Sequence, residues 1–165
     1  LDNQIETIEK AYLLVRDEIS QSWDIQSSKI TVTASQVLKF KEGICYAKAN
    51  LLAAILRSVG IPTGFCYQRL ALFDTDDTSF CIHALSAVYI DKINKWVRLD
   101  ARGNKEGINA RFSLNEEHLA FAVRKGLGEI DYPQVYAEPA RCTMEALENN
   151  VDALKMYLHN LPSEI

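Results

Sequence analysis

The run from Ile44 to Val59, ICYAKANLLAAILRSV, constrains this chain more than any other segment. It is rich in alanine and leucine, which favour helix, and it is apolar on almost every face. A helix of that kind belongs in a domain interior, with other elements packed around it. Its limits are written beside it. Gly43 interrupts whatever precedes it, Gly60 suits a left-handed cap, and Pro62 prevents continuation. The pattern therefore predicts a buried helix over 44–59 with a cysteine in its first turn.

Two helical segments lead up to it. Ile5, Ile8, Tyr12, Val15 and Ile19 recur at spacings of three and four and form one apolar stripe. A serine-rich loop follows (Ser20, Ser22, Ser27, Ser28), and Thr33 is placed to cap a short helix carrying Val37 and Leu38. After Pro62 the pattern changes to strands. Gly64 to Leu72 reads as one strand and Asp74 to Thr78 as a loop. Phe80 to Ile90 is apolar on both faces and so central in a sheet, and after a turn over Asp91–Lys95 a third strand runs from Trp96 to Asp100. Short connections make these an antiparallel meander. Ser113 with Glu116 resembles a capping box before a helix ending near Arg124. A loop with Pro133 and Pro139 then leads to a last helix bearing Met144, Leu147, Val151, Leu154 and Leu158 on one face. The order of helices, sheet, helices predicts an α+β fold. With 165 residues a single domain over 1–165 is expected, its core at about 33–103 and a helical C-terminal segment at about 111–165.

Composition excludes several functions. The formal charge is -4 and there is no Lys/Arg-rich run, which argues against a nucleic-acid partner. Polar residues break every apolar stretch before it reaches 18, so no membrane-spanning helix is expected. The chain begins at Leu1 rather than methionine, and Leu1–Lys10 has no signal-peptide core. The four cysteines, at 45, 66, 81 and 142, form no CxxC pair, so reduced thiols in the cytoplasm are expected. Cys81 and His83 share one strand face, yet no second pair completes a zinc site, and Asp74, Asp76 and Asp77 lack EF-hand spacing. The expectation is no metal and no cofactor. Nothing in the sequence bears on oligomeric state.

Three residues carry the chemistry. Cys45 sits where unpaired N–H groups and the helix dipole stabilise negative charge, which favours the attacking thiolate. The same N–H groups suit a developing oxyanion. His83, inside an apolar strand, needs partners for its ring nitrogens. Asp100 ends the next strand, and the turn near Ile93 folds it back beside the low-to-mid eighties, within reach of an imidazole. Each residue alone also fits a plain structural role: a small buried hydrophobe, a core histidine, a strand-end carboxylate. The three together point to a catalytic triad.

The stretch EGICYAKANLLAAILRSVGIPTGF, followed by IHALSAVYIDKINKWVRLDARG, resembles the core of the transglutaminase-like superfamily. The matching positions are Gly43 and Cys45, Gly60-Ile61-Pro62, His83-Ala84, Trp96 and Asp100, and the likeness covers about residues 33–103. It resembles small bacterial stand-alone members. It implies a papain- or transglutaminase-like core and a thioester mechanism on amide bonds. Water as acceptor makes a protease or amidase and is the preferred outcome here; an amine gives transamidation. The substrate would be a peptide, protein or small amide. Two other readings stay open: a catalytically silent peptide-binding module, and an arylamine N-acetyltransferase-like acyltransferase. The chain departs from the family pattern in Tyr46-Ala47-Lys48, where an acidic residue or arginine is common, and in Ala101 to Lys105, where proline-threonine is usual. Tyr46, Trp23, Gln26, Trp96 and Arg102 are candidates for substrate or oxyanion contacts, with Trp96 favoured as packing beneath the triad and Arg102 as half of a surface ion pair. Cys81 either faces the cleft or fills core, and His118 and His159 are expected on solvated helices.

Overall fold

A computed structural model of the protein describes residues 3–72 and 79–165. Asp74, Asp76 and Asp77 lie outside the described residues. The element order is α1 (Asn3–Glu18), β1 (Ser20–Gln21), α2 (Ala34–Phe40), β2 (Glu42–Gly43), α3 (Cys45–Ser58), β3 (Thr63–Ala71), β4 (Phe80–Ile90), β5 (Lys95–Leu99), β6 (Ile130–Asp131), α4 (Arg141–Asn149) and α5 (Ala153–His159). This is the α+β arrangement expected, with α3 buried between the other N-terminal helices and the sheet.

The local chemistry of the helix ends is as anticipated. Thr33 accepts from the Gln36 N–H at 3.2 Å, and Gln36 Oε1 accepts from Thr33 N at 3.3 Å, a reciprocal capping box. At the end of α3, Gly60 has a φ of +80°. Ile61 N donates to Leu56 O and Gly60 N to Arg57 O, both at 3.0 Å, so a Schellman motif satisfies the last carbonyls. Gly43 is needed for space: a Cβ there would lie 2.9 Å from Thr31 Oγ1 and 3.2 Å from the Ala47 Cβ.

The main sheet has the order β5-β4-β3-β6, all antiparallel. β4 is interior, as its two-faced apolarity requires. Its register pairs Gln68 with His83 on one side and Ser86 with Leu99 on the other. The core joins Ile8, Tyr12 and Val15 of α1 to Leu52 and Leu56 of α3, and these to Phe65, Ile82 and Val88 of the sheet. Each fully buried leucine contributes ~1.5–3 kcal/mol. Among the described residues no helix is long and apolar enough to cross a membrane.

The C-terminal third departs from the expectation. No helix forms over 113–124. Ser113 Oγ does accept from the Asn115 and Glu116 N–H groups, but the turn goes no further. The segment instead lies extended over the sheet, held by Arg111 N to His118 O at 2.9 Å and by Ala120 N to the Asp100 carboxylate at 3.2 Å. Tertiary partners outweigh the local signal. His118 therefore sits on this extended segment, beside Glu116 and Arg111, and not on a helix. The expected last helix is two, α4 and α5, broken where Asp152 caps α5 through the Leu154 and Lys155 N–H groups. Val151, assigned to an apolar face, is 97% exposed at that break. The parallel pair β1–β2 and the strand β6 are additions.

Candidate active site

Cys45 is the first residue of α3 and is half-buried. The preceding Ile44 supplies no side-chain cap, and the first intrahelical bond is Lys48 N to Ile44 O at 3.0 Å. The positive end of the α3 dipole is therefore open at the cysteine.

His83 enters from β4 and is 5% exposed. Its Nε2 lies 2.7 Å from Asp100 Oδ2. The ring also feels the Cys45 side chain, which raises its pKa together with Asp100. With Nε2 committed to the carboxylate, Nδ1 is the nitrogen left for the sulfur. Phe121 meets the ring edge-on, centroids 5.1 Å apart, and limits its rotation.

Asp100 follows β5 and is fully buried. Besides the imidazole, it accepts from Arg102 N at 3.1 Å on Oδ1 and from Ala120 N at 3.2 Å on Oδ2. Burial opposes its charge, but the attraction of His83 and these bonds hold the carboxyl below the usual range. Burial likewise opposes charge on His83. The Asp100 carboxylate, the influence of Cys45 and the bond to Asp100 overcome it, raising the imidazole to about 10.

Cys45 and His83 border a cavity of about 470 Å³. Its walls come from distant parts of the chain: Trp23 from the N-terminal loop, Cys81 from β4, Phe121 from the extended segment and Tyr157 from α5. Trp23 and Tyr157 stack with centroids 4.3 Å apart. The tail beyond α5 returns to the sheet, where Ile82 N donates to Pro162 O at 2.8 Å.

The remaining candidates divide. Trp23, Arg102 and Cys81 line the cavity. Arg102 forms no surface pair: it is 4% exposed and grips Asp24 with both guanidinium ends, at 2.7 and 2.8 Å. Tyr46 is buried and donates to Ile82 O at 2.6 Å, fixing α3 against β4 and not lining the cavity. Gln26 has a left-handed φ of 52° and spends its side chain on Trp23 O at 2.6 Å. Trp96 lies neither beneath the triad nor in the cavity. It is 40% exposed and packs edge-on against Tyr89, because it sits at the start of β5, opposite Tyr89, while Asp100 follows the other end. Gln21, Phe121 and Tyr157 line the cavity without having been anticipated. Their only sequence signal was proximity of Gln21 to Trp23; the others lie in segments whose periodicity says nothing about the site.

A buried helix opening on cysteine, with histidine and aspartate from adjacent antiparallel strands, defines a papain- or transglutaminase-like core. The family model described as the transglutaminase-like superfamily matches residues 1–101, and the chain belongs to that superfamily of cysteine-dependent enzymes. No curated protein matches. Among solved structures, a candidate cysteine protease from Cytophaga hutchinsonii is similar, with 22% identity, TM-score 0.42, and 60% of this chain and 30% of that chain covered. A structure described as a TGase has 16% identity and TM-score 0.43, with 68% and 34% covered. The chain thus spans about a third of the length of either structure.

Proposed function

We propose that this chain is a cysteine-nucleophile acyl-transfer enzyme acting on amide bonds, with Cys45, His83 and Asp100 as its triad. One observation carries the reading: the His83 ring, hydrogen-bonded to Asp100 at 2.7 Å, borders the same cavity as Cys45 at the open end of α3. The Cys45 thiolate attacks the amide carbon, forming the C–S bond. The open N–H groups of α3 receive the oxyanion. His83 passes its proton to the nitrogen, the C–N bond breaks and the amine leaves. His83 then takes a proton from water, hydroxide attacks the thioester, and the C–S bond breaks to restore the thiolate. Asp100 orients the ring and stabilises imidazolium. Water is the acceptor we favour; an amine in its place gives transamidation. Peptides, proteins or small amides are the substrates expected of such a site.

The test is release of amine from a panel of peptide amides by wild type and Cys45→Ala. The variant is expected to lose more than ~10³-fold in rate while keeping its near-UV circular dichroism. Undiminished activity in Cys45→Ala contradicts the assignment.

A further inference from the structure

The chain carries a net charge of -4, yet the cavity of Cys45 and His83 is walled by cations. Besides His83, its charged lining among the described residues is Arg102, Lys105, Arg124 and one acid, Glu129. Glu129 is spent on Arg124 at 2.7 Å. Behind the wall, Asp24 holds both Arg102 and Lys105, so two positive charges share one carboxylate. Arg102 already satisfies both Asp24 oxygens, at 2.7 and 2.8 Å, and is 4% exposed. Lys105 shares Oδ1 at 2.9 Å, and its side chain is 47% exposed. The surplus charge is therefore the one that a ligand can reach. Short contacts connect it to the reacting centre. Phe121 meets the His83 ring with centroids 5.1 Å apart, and the Arg102 guanidinium carbon lies 5.9 Å from the centre of the same Phe121 ring. The Arg102 fork and the Lys105 ammonium then meet on Asp24 Oδ1. The backbone that carries Lys105 is fixed: Ile108 N donates to Lys105 O at 2.9 Å, and the Asn104 side chain bonds Ala110 N and O at 2.8 and 3.0 Å.

We propose that the cavity takes substrates bearing a carboxylate, which the Lys105 ammonium receives while Cys45 attacks the neighbouring amide. The inference rests on the reading of Cys45 as nucleophile. An ammonium has three donor hydrogens, so Lys105 can keep Asp24 and still bond a ligand oxygen. A bidentate arginine–carboxylate pair is complete without a second cation, which leaves Lys105 little to add to Asp24 itself. Neutral donors border the cavity too, in the Tyr157 hydroxyl and the Trp23 indole. Either serves an uncharged carbonyl as well as an acid, so neither distinguishes the two. Charge does. The carboxylate has two chemical sources, an acidic side chain or a free chain terminus next to the amide, and both present the same group to Lys105.

The experiment uses three bromoacetyl probes of nearly equal size: bromoacetyl-glutamine amide, which is uncharged, bromoacetyl-glutamate α-amide, with a side-chain acid, and bromoacetyl-glutamine, with a terminal acid. The thiolate forms a C–S bond at the bromoacetyl CH2 and bromide leaves. Rates of labelling at Cys45 are read by peptide mass spectrometry for wild type, Lys105→Gln, Lys105→Arg and Lys105→Glu, with the Tm of each. Wild type is expected to react faster with an acid than with the uncharged probe, and the faster acid identifies the source. His83 attracts any carboxylate in every variant, so the change in the acid-to-neutral ratio isolates Lys105. Lys105→Gln is expected to lower that ratio about fivefold, Lys105→Arg to retain it and Lys105→Glu to lower it further. Added salt should shrink the wild-type preference. Equal rates for all three probes in wild type, a ratio that Lys105→Gln leaves unchanged, or an equal fall for all three probes overturns the inference. Cys45 left unlabelled by every probe, though labelled once the chain is unfolded in urea, instead overturns the nucleophile reading.

Discussion

His83 keeps its proton in the folded chain well above the pH at which a free imidazole loses it, and its neighbours explain why. Burial alone would strip the charge, but Asp100 and Cys45 flank the ring and raise it from 6.5 to about 10. The sign of the linkage follows. Stabilisation from His83 is fully present below about pH 6.5, its unfolded value, and is lost as pH rises towards about 10. The stability gap between wild type and His83→Gln should therefore be widest near pH 6 and narrow by pH 10, measured by urea unfolding across that window. A gap that widens with pH contradicts the ion-pair environment. The other thiols offer an internal contrast. Burial pushes Cys66 up to about 11, Cys81 to about 12, and Cys142 above its ordinary value. Iodoacetamide near neutral pH should label Cys45 first, read by peptide mass spectrometry. Equal labelling of all four would show that the open helix end does nothing for the sulfur.

α3 illustrates what could be read in advance and what could not. Its interior character, its glycine-proline stop and the cysteine at its mouth were all legible, because each follows from composition and backbone chemistry within one segment. So were β4 and β5, whose short turn forces the register that joins His83 to Asp100. The segment 113–124 was not legible as extended chain. Its bonds to Asp100 and across Arg111–His118 are tertiary, and no local pattern encodes them. The departure at Lys48 gained a meaning only from its surroundings. It is 1% exposed, and its ammonium donates to Ile19 O at 2.6 Å, Arg102 O at 2.8 Å and Arg16 O at 3.5 Å. Burial, then Arg102, lowers its pKa to about 7, while the three carbonyls favour a donor there. Lys48 thus ties the end of α1 and the loop after β5 to the cysteine helix. Lys48→Met leaves three inward carbonyls without their donor, and a loss of ~2–3 kcal/mol in urea unfolding is expected. Because Arg102 N also holds Asp100, kcat should fall with it. A variant as stable and active as wild type would contradict the tie.

Across the whole molecule, the cavity belongs to no single stretch of sequence. β1 supplies Gln21 and the loop after it Trp23, the central helix supplies Cys45, the sheet supplies His83 and the C-terminal segments supply Phe121 and Tyr157. The three candidate residues lie in local motifs within 33–103, whereas the cavity walls come from flanking segments whose periodicity says nothing about a site. The proposed function requires one sulfur, that of Cys45, to become covalently acylated. Acid quenching of the enzyme during turnover of an activated peptide ester, followed by peptide mass mapping, tests that directly. The account predicts one acyl group, in thioester linkage on Cys45, absent from Cys45→Ala and accumulating when His83 is replaced only if acylation still proceeds. An acyl group carried by any other residue during turnover, or turnover with Cys45 never modified, would contradict it.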